Sequence, residues 1–453
     1  MTAHRSSARF LRRLPLAAAL SLALAGASQA QSLQALYELA RGHDAAYLSA
    51  RAQYEANLAK AEQGKAALLP TIGVSAGATR TDFDGNPLKG SSYIAQERSF
   101  STETAGINLN QPLFRPANLA TYRQSQKSLE VAEAGLAQAE QELIVRLSQA
   151  YFDVLTAQDS LTLVRAQKSA VAEQLASAKR NFEVGTATIT DTREAQARFD
   201  LVSAQEIATD NDLRVKTLAL ELLVGKSNLR PQPLKANAPL PEVSGESMDS
   251  WLEKARQSNP TLRQARTGLD VARLETDKAK AGHLPTLDFN MGYNTQRNLN
   301  GTAISNVAFQ ANLATAGVTL NLPLFTGMSV QNRVREAVAL EEKTRNDLEN
   351  AERQVIQATR TAYLGLQSGL GQVKAYEAAE ASSQSALDAN KLGYQVGVRI
   401  NIDVLNSQSQ LFQTKRDLAK ARYDVLVGQL RLRQAAGVLK AEDLQAINAL
   451  LAP

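Results

Sequence analysis

The sequence predicts a mainly α-helical chain with a transmembrane β-barrel part to which each copy contributes four strands. Three observations lead there. The chain repeats itself once with a long period, each repeat holds two alternating strand candidates, and the helical stretches that follow are too long for a globular domain.

The duplication organises everything else. Residues 61–77 (AEQGKAALLPTIGVSAG) correspond to 276–292 (TDKAKAGHLPTLDFNMG), and NLNQPLF at 108–114 to TLNLPLF at 319–325. The run NFEVGTATITD at 181–191 corresponds to GYQVGVRINID at 393–403, so Gly185 and Gly397, like Asp191 and Asp403, stand 212 positions apart. Each half begins with a helical segment (33–68, then 248–283) that stops at Leu-Pro, since proline cannot continue a helix.

Two strands follow in each half. Ile72, Val74, Ala76 and Ala78 alternate with Thr71, Gly73, Ser75, Gly77 and Thr79, while Leu287, Phe289, Met291 and Tyr293 alternate with Asp288, Asn290, Gly292 and Asn294. Ile107 and Leu109, and later Val318, Leu320 and Leu322, do the same with Asn and Thr between them. A period of two with small polar residues on one face fits a sheet that is apolar outside and wet inside, with strands of roughly ten residues. Such alternation also fits a solvent-facing sheet packed on helices.

The long helices span 117–183 and 328–395, about 100 Å each at 1.5 Å per residue. Leu129, Ala132, Leu136, Ala139 and Leu143 make a seam at spacings of three and four, continued by Leu147, Ala150 and Val154 after a four-residue step. That is a coiled-coil seam with a stutter, which packs laterally on similar helices. A short Gly-containing turn then leads to helices at 191–224 and 403–436 of about half the length, and the helix at 44–68 could stack end to end on the first of these.

The N-terminus reads as an export signal. Arg5, Arg9, Arg12 and Arg13 precede the apolar run 14–25, and Ser28-Gln29-Ala30 offers small residues for cleavage. Without those four arginines the 50 basic and 45 acidic residues become 46 against 45, so charge gives no support for nucleic-acid binding. Cysteine is absent and only His43 and His283 lie beyond the signal. This argues against disulfides, a lipoprotein anchor, a catalytic triad or a metal site, and no catalytic residue or cofactor is expected. The expected organisation is a signal peptide at 1–30, a first repeat at 31–225, a Pro-rich connector at 226–246, a second repeat at 247–437 and a C-terminal segment at 438–453.

Four strands cannot close a barrel, and open edges are forbidden in lipid, so the chain is expected to oligomerise; three copies would give twelve strands. In these features the chain resembles the TolC family of outer-membrane efflux and secretion ducts. The likeness rests on LLP at 68–70, HLPTLD at 283–288, the QPLF and LPLF joints, AYF at 150–152, and the two tips FEVGTATITD and YQVGVRINIDVLN. It implies a homotrimer in the outer membrane of a Gram-negative cell, with a twelve-strand barrel in lipid and a periplasmic α-barrel. It implies an equatorial collar formed by the connector and the C-terminal residues. Its partners would be a periplasmic adaptor (membrane fusion) protein and an inner-membrane transporter of RND, MFS or ABC type, serving drug efflux or type I protein secretion.

The same resemblance assigns a gate. Its motif maps onto Tyr394, Arg399 and Asp403 of the second tip, with Thr190 and Asp191 of the first as partners. Arg399 would bond the Thr190 hydroxyl and pair with Asp191, and Tyr394 would donate to the Asp191 carboxylate. Gly185 and Gly397 would make the tip turns and the adaptor-docking ends. Asp403 and Asn406 would line the constriction, and because Asn406 stands where the family's motif carries a second aspartate, weaker cation selectivity is expected. The residues by themselves also allow Asp191 and Asp403 to be helix N-caps and both glycines to be C-caps. A periplasmic coiled-coil structural or adaptor protein without a pore is the competing reading.

Overall fold

The structure, a computed structural model, describes residues 31–85, 90, 96–235, 238–240 and 246–452. The signal-peptide expectation for 1–30 lies outside them, as do parts of the connector. In chain order the elements are α1 (Leu33–His43), α2 (Ala45–Ala66), β1 (Thr71–Gly85), β2 (Gln96–Phe114), α3 (Pro116–Glu183), α4 (Ile189–Val224), α5 (Met248–Ser258) and α6 (Pro260–Lys280). A short 3-10 turn, Ala281–His283, precedes β3 (Thr286–Asn298), β4 (Phe309–Asn321), α7 (Ser329–Gln395), α8 (Asn401–Ala435) and α9 (Asp443–Asn448).

The two helical segments before the strands are each broken once. Asp44 ends α1 and starts α2, its Oδ1 accepting from the Tyr47 N–H at 2.8 Å and from Arg146 at 2.9 Å. At the matching place in the second repeat, Asn259 accepts from the N–H groups of Thr261 and Leu262, with Pro260 at the first helical position. A side-chain acceptor there satisfies amides that the preceding helix cannot, so each segment becomes two helices rather than one.

The described residues divide into two compact units, each drawing on both repeats: those within Met1–Leu48, Glu140–Ala255 and Ala358–Pro453 form one, those within Ser49–Ala139 and Arg256–Gln357 the other. The second unit holds a four-stranded antiparallel sheet in the order β1-β2-β3-β4. Its strands run 13 to 19 residues, longer than the ten expected, because pairing continues into the polar ends beyond the apolar alternation. The register sorts residues by face. Ile72, Leu109, Met291 and Ala316 form one rung and Val74, Ile107, Tyr293 and Ala314 another, whereas Gly73, Asn108, Gly292 and Thr315 lie on the opposite face.

This chain leaves the apolar face uncovered: Val74 is 80% exposed and Leu320 66%. At the joint between sheet and helix, Arg115 forks onto Asp288 with two bonds of 2.7 Å, fastening the end of β2 to the start of β3. The amides of Gln111 and Asn118 take the Leu68 and Ala67 carbonyls that the end of α2 leaves free. No helix among the described residues is long and apolar enough to cross a membrane.

In the first unit α3 is buried on a wide face. Leu143, Ile144, Leu147, Tyr151, Phe152 and Leu155 are almost fully enclosed, so the seam read from the sequence broadens here into a core. The AYF motif explains part of that. The Tyr151 hydroxyl donates to the carbonyls of Gln232 (2.9 Å) and Gln31 (3.3 Å), and Phe152 stacks on Tyr423 at 5.6 Å. Tyr423 in turn donates to Asp159 at 2.7 Å. The connector is held on both sides: Gln31 pairs with Pro231, Leu234 pairs with Leu451, and Ala452 donates to the Pro233 carbonyl.

Candidate functional site at the hairpin tips

Both hairpins end in the same turn. In the first, the Asn181 carbonyl accepts from the N–H groups of Thr186 (2.8 Å) and Ala187 (3.2 Å); in the second, Gly393 accepts from Val398 (2.9 Å) and Arg399 (3.0 Å). Gly185 and Gly397 sit in the left-handed region at φ 79° and 78°, where a Cβ would be strained. The anticipated C-cap turns are therefore formed, in duplicate.

Below the turns two apolar clusters fix the helices. Val164, Val171, Leu175 and Ala178 of α3 meet Ala195 and Val202 of α4 and Leu405 of α8. On its other side α8 sets Val404 and Leu411 against Leu387 of α7, with Tyr394 packed on them. Helix α8 thus joins the two hairpins through neighbouring residues of one turn.

Among these elements runs a groove of about 650 Å³ lined by Asn181, Thr188, Asp191, Tyr394, Arg399 and Asn401, among others. Three of the four residues expected to form the latch, Asp191, Tyr394 and Arg399, thus meet around one opening, with the turn glycine Gly397; Thr190 is exposed and does not line it. The direct bonds expected among them are not the ones this chain makes. Asp191 Oδ2 accepts from the Thr188 N–H at 2.9 Å and hydroxyl at 2.7 Å, and the Asp191 N–H returns a bond to Thr188 Oγ1, a closed capping box. Arg399 lies 3.7 Å from Asp403 on the next turn of chain, and the Tyr394 hydroxyl accepts from Asn181 Nδ2 at 3.4 Å.

The capping reading also needs correction. The N-caps are Thr188 and Ile400, and the two aspartates sit three residues further on. Ile400 has no side-chain acceptor, so Asp403 has no box to close and turns to Arg399. Asn406 is exposed and accepts from Arg198 of α4 at 2.9 Å.

The sequence reading missed Asn401. It is fully buried, its Nδ2 donates to the Asp191 carbonyl at 3.2 Å, and its Oδ1 accepts from Gln174. It is a buried polar side chain that ties the second tip to the first. The signal was available, since the repeat partner of Asn401 is the apolar Ile189.

Residues 36–226 and 251–438 match the family described as Outer membrane efflux protein. The chain belongs to the outer membrane efflux protein family. It is 35% identical to Outer membrane protein TolC of Vibrio cholerae over 94% of this chain and 95% of that protein. It is 32% identical to the Alkaline protease secretion protein AprF of Pseudomonas aeruginosa over 91% of this chain and 86% of that one. Its fold matches the crystal structure of the Campylobacter jejuni CmeC outer membrane channel with a TM-score of 0.77, covering 94% of this chain and 91% of that one at 16% identity. An efflux protein of this family is an outer-membrane exit duct, and its relatives are channel proteins and not enzymes.

Proposed function

We propose that three copies of this chain close a single barrel through their sheet edges and form a trimeric duct for tripartite efflux, type I protein secretion or both. The observation that carries the reading is the sheet. Both edges, β1 and β4, lack a strand partner among the described residues, and the apolar face between them is bare. Such a surface is unstable in water and equally unstable in lipid until the edges pair. On this reading the repeats at 31–225 and 247–437 are the duplicated scaffold, the connector and the 438–453 segment form the collar, and the chain carries out no catalysis. A periplasmic adaptor and an inner-membrane transporter engage the tips at the Gly185 and Gly397 turns.

The gate belongs to the same proposal. Arg399 is 58% exposed and tied by one 3.7 Å pair, and Tyr394 is held by one long bond, so both side chains can exchange partners cheaply. In the trimer Arg399 reaches Thr190 and Asp191 across neighbouring helices, Tyr394 reinforces the closure, and Asp403 with Asn406 lines the constriction. Partner engagement shifts the population towards the open mouth.

The duplication supplies the register for the test. Within the chain β2 pairs with β3 so that Leu109 faces Met291 and Ile107 faces Tyr293. Shifted by the repeat, β4 of one copy pairs with β1 of the next so that Leu320 faces Ala76 and Val318 faces Ala78. Because the chain has no cysteine, the double variant Leu320→Cys/Ala76→Cys is unambiguous. Oxidation in outer membranes should give a covalent trimer on a non-reducing gel, while Leu320→Cys/Ser75→Cys, facing opposite sides, should remain monomeric. A covalent dimer would mean an eight-stranded closure, and no cross-link in either variant would refute edge pairing.

A further inference from the structure

A second groove in the same unit, of about 440 Å³, lies between α4 and α8 over α3. Of the ten residues lining it five are amides, two are the arginines Arg198 and Arg416, and none is a carboxylate. Several guanidiniums elsewhere in the unit find acids: Arg165 pairs with Glu206 and Asp210, Arg422 with Glu377, and Arg433 with Asp443, while Arg431 donates singly to Gln149. Neither groove arginine has an ion pair among the described residues. Arg198 donates to the Asn406 carbonyl oxygen at 2.9 Å, and Arg416 donates to Gln167 at 3.1 Å and to Gln413 at 2.7 Å.

The nearby acids are engaged elsewhere. Asp417, beside Arg416, accepts from Gln413; Asp200 accepts from Gln196; Asp403 faces Arg399. Glu194 stands one turn before Arg198 on α4, yet the guanidinium is turned to Asn406. Burial lowers the pKa of Arg416, opposed by the charge of Asp417, so this side chain is partly stripped of water. A guanidinium bound only to neutral amides keeps most of its charge uncompensated, and an oxyanion that displaces those amides gains the stronger charge-assisted bonds.

We propose that the groove between α4 and α8 binds small anions, carboxylate or phosphate, between Arg198 and Arg416. Only Leu201 and Val202 supply apolar lining, too little to anchor a protein segment, whereas the amides offer further donors to a small oxyanion. Because Arg198 bonds Asn406, the site also sets positive charge beside a residue assigned to the constriction. The cation selectivity of the duct is thereby lowered further, and this part of the inference rests on the gate and constriction reading above.

The test has two arms that fail separately. In the first, purified protein is titrated with inorganic phosphate and followed by phosphorus NMR line broadening. Arg198→Gln/Arg416→Gln should weaken binding by roughly tenfold while Arg198→Lys/Arg416→Lys retains most of it, since the charge-assisted bonds and not the packing are removed. In the second, planar-bilayer reversal potentials under a KCl gradient should show the chloride-to-potassium permeability ratio falling by roughly threefold in the Gln variant. Equal phosphate binding in wild type and the Gln variant, or none in wild type, overturns the anion site. Open channels with an unaltered permeability ratio overturn its role in the pore. A protein that binds phosphate but never conducts overturns the duct reading and leaves the anion site standing.

Discussion

The two hairpin tips share a backbone and differ in what their side chains do. Four turn hydrogen bonds recur 212 residues apart: those accepted by Arg180 and Leu392, by Phe182 and Tyr394, and the pair on each of Asn181 and Gly393. The first tip then closes on itself, Thr188 and Asp191 capping α4. At the second, isoleucine replaces that threonine, so Asp403 and Arg399 are left to each other and Tyr394 reaches across to Asn181. Duplication fixed the turn, and a few substitutions left one copy's polar groups weakly held, with Tyr394 bonding outside its own hairpin. A self-satisfied tip suits a fixed wall, and a tip with weakly held groups suits a moving part.

The largest effect is expected from removing the free groups. Tyr394→Phe with Arg399→Ser abolishes two weak links of the second tip, and at about 1 kcal/mol each the open fraction should rise by about thirtyfold. Mean single-channel conductance in bilayers reports it; an unaltered closed state would mean that these residues do not hold the gate.

Next comes the tie between the tips. Asn401→Ile copies Ile189 of the first repeat and leaves Gln174 and the Asp191 carbonyl without their partner in a buried place, a cost of about 1–3 kcal/mol. Amide hydrogen exchange should accelerate at the start of α8 and at Asp191, while the exchange of the sheet stays as it was. If the tips exchange as in the wild type, Asn401 is only a packing residue.

The smallest effects sharpen the comparison by swapping the caps. Thr188→Ala should loosen the start of α4 by about 1 kcal/mol, whereas Ile400→Thr should tighten the start of α8 by a similar or smaller amount by giving Asp403 a box to close. Exchange rates of the first turn of each helix measure both. Slower exchange at α8 should be accompanied by a more mobile Arg399, visible in its side-chain NMR signal, and the absence of that coupling would break the account of why the tips differ.

Legibility followed the range of the interaction. The strands, the long helices and the tip glycines were readable because alternation, seam spacing and a required left-handed φ are properties of residues close in sequence. The breaks at Asp44 and Asn259 were readable in principle, since Asn259-Pro260 is an N-cap followed by a first-turn proline. The strand ends were not. Phe114 extends β2 by pairing with Leu287, while its repeat partner Phe325 lies beyond the end of β4 and is 78% exposed, because no strand among the described residues lies beside that edge.

By itself, then, the sequence determined the duplicated order of elements, the alternation that gives the sheet one apolar face, and the turn at each tip. Only the tertiary structure decided which partner a tip side chain finds across the hairpins. Asn181 donates to Tyr394, Arg198 goes to Asn406, and Asn401 is buried against the other hairpin. The reason is that a polar side chain bonds the nearest unsatisfied partner within about 3 Å, and which group that is depends on how the helices are packed. Composition and spacing fix the candidates, and packing chooses among them.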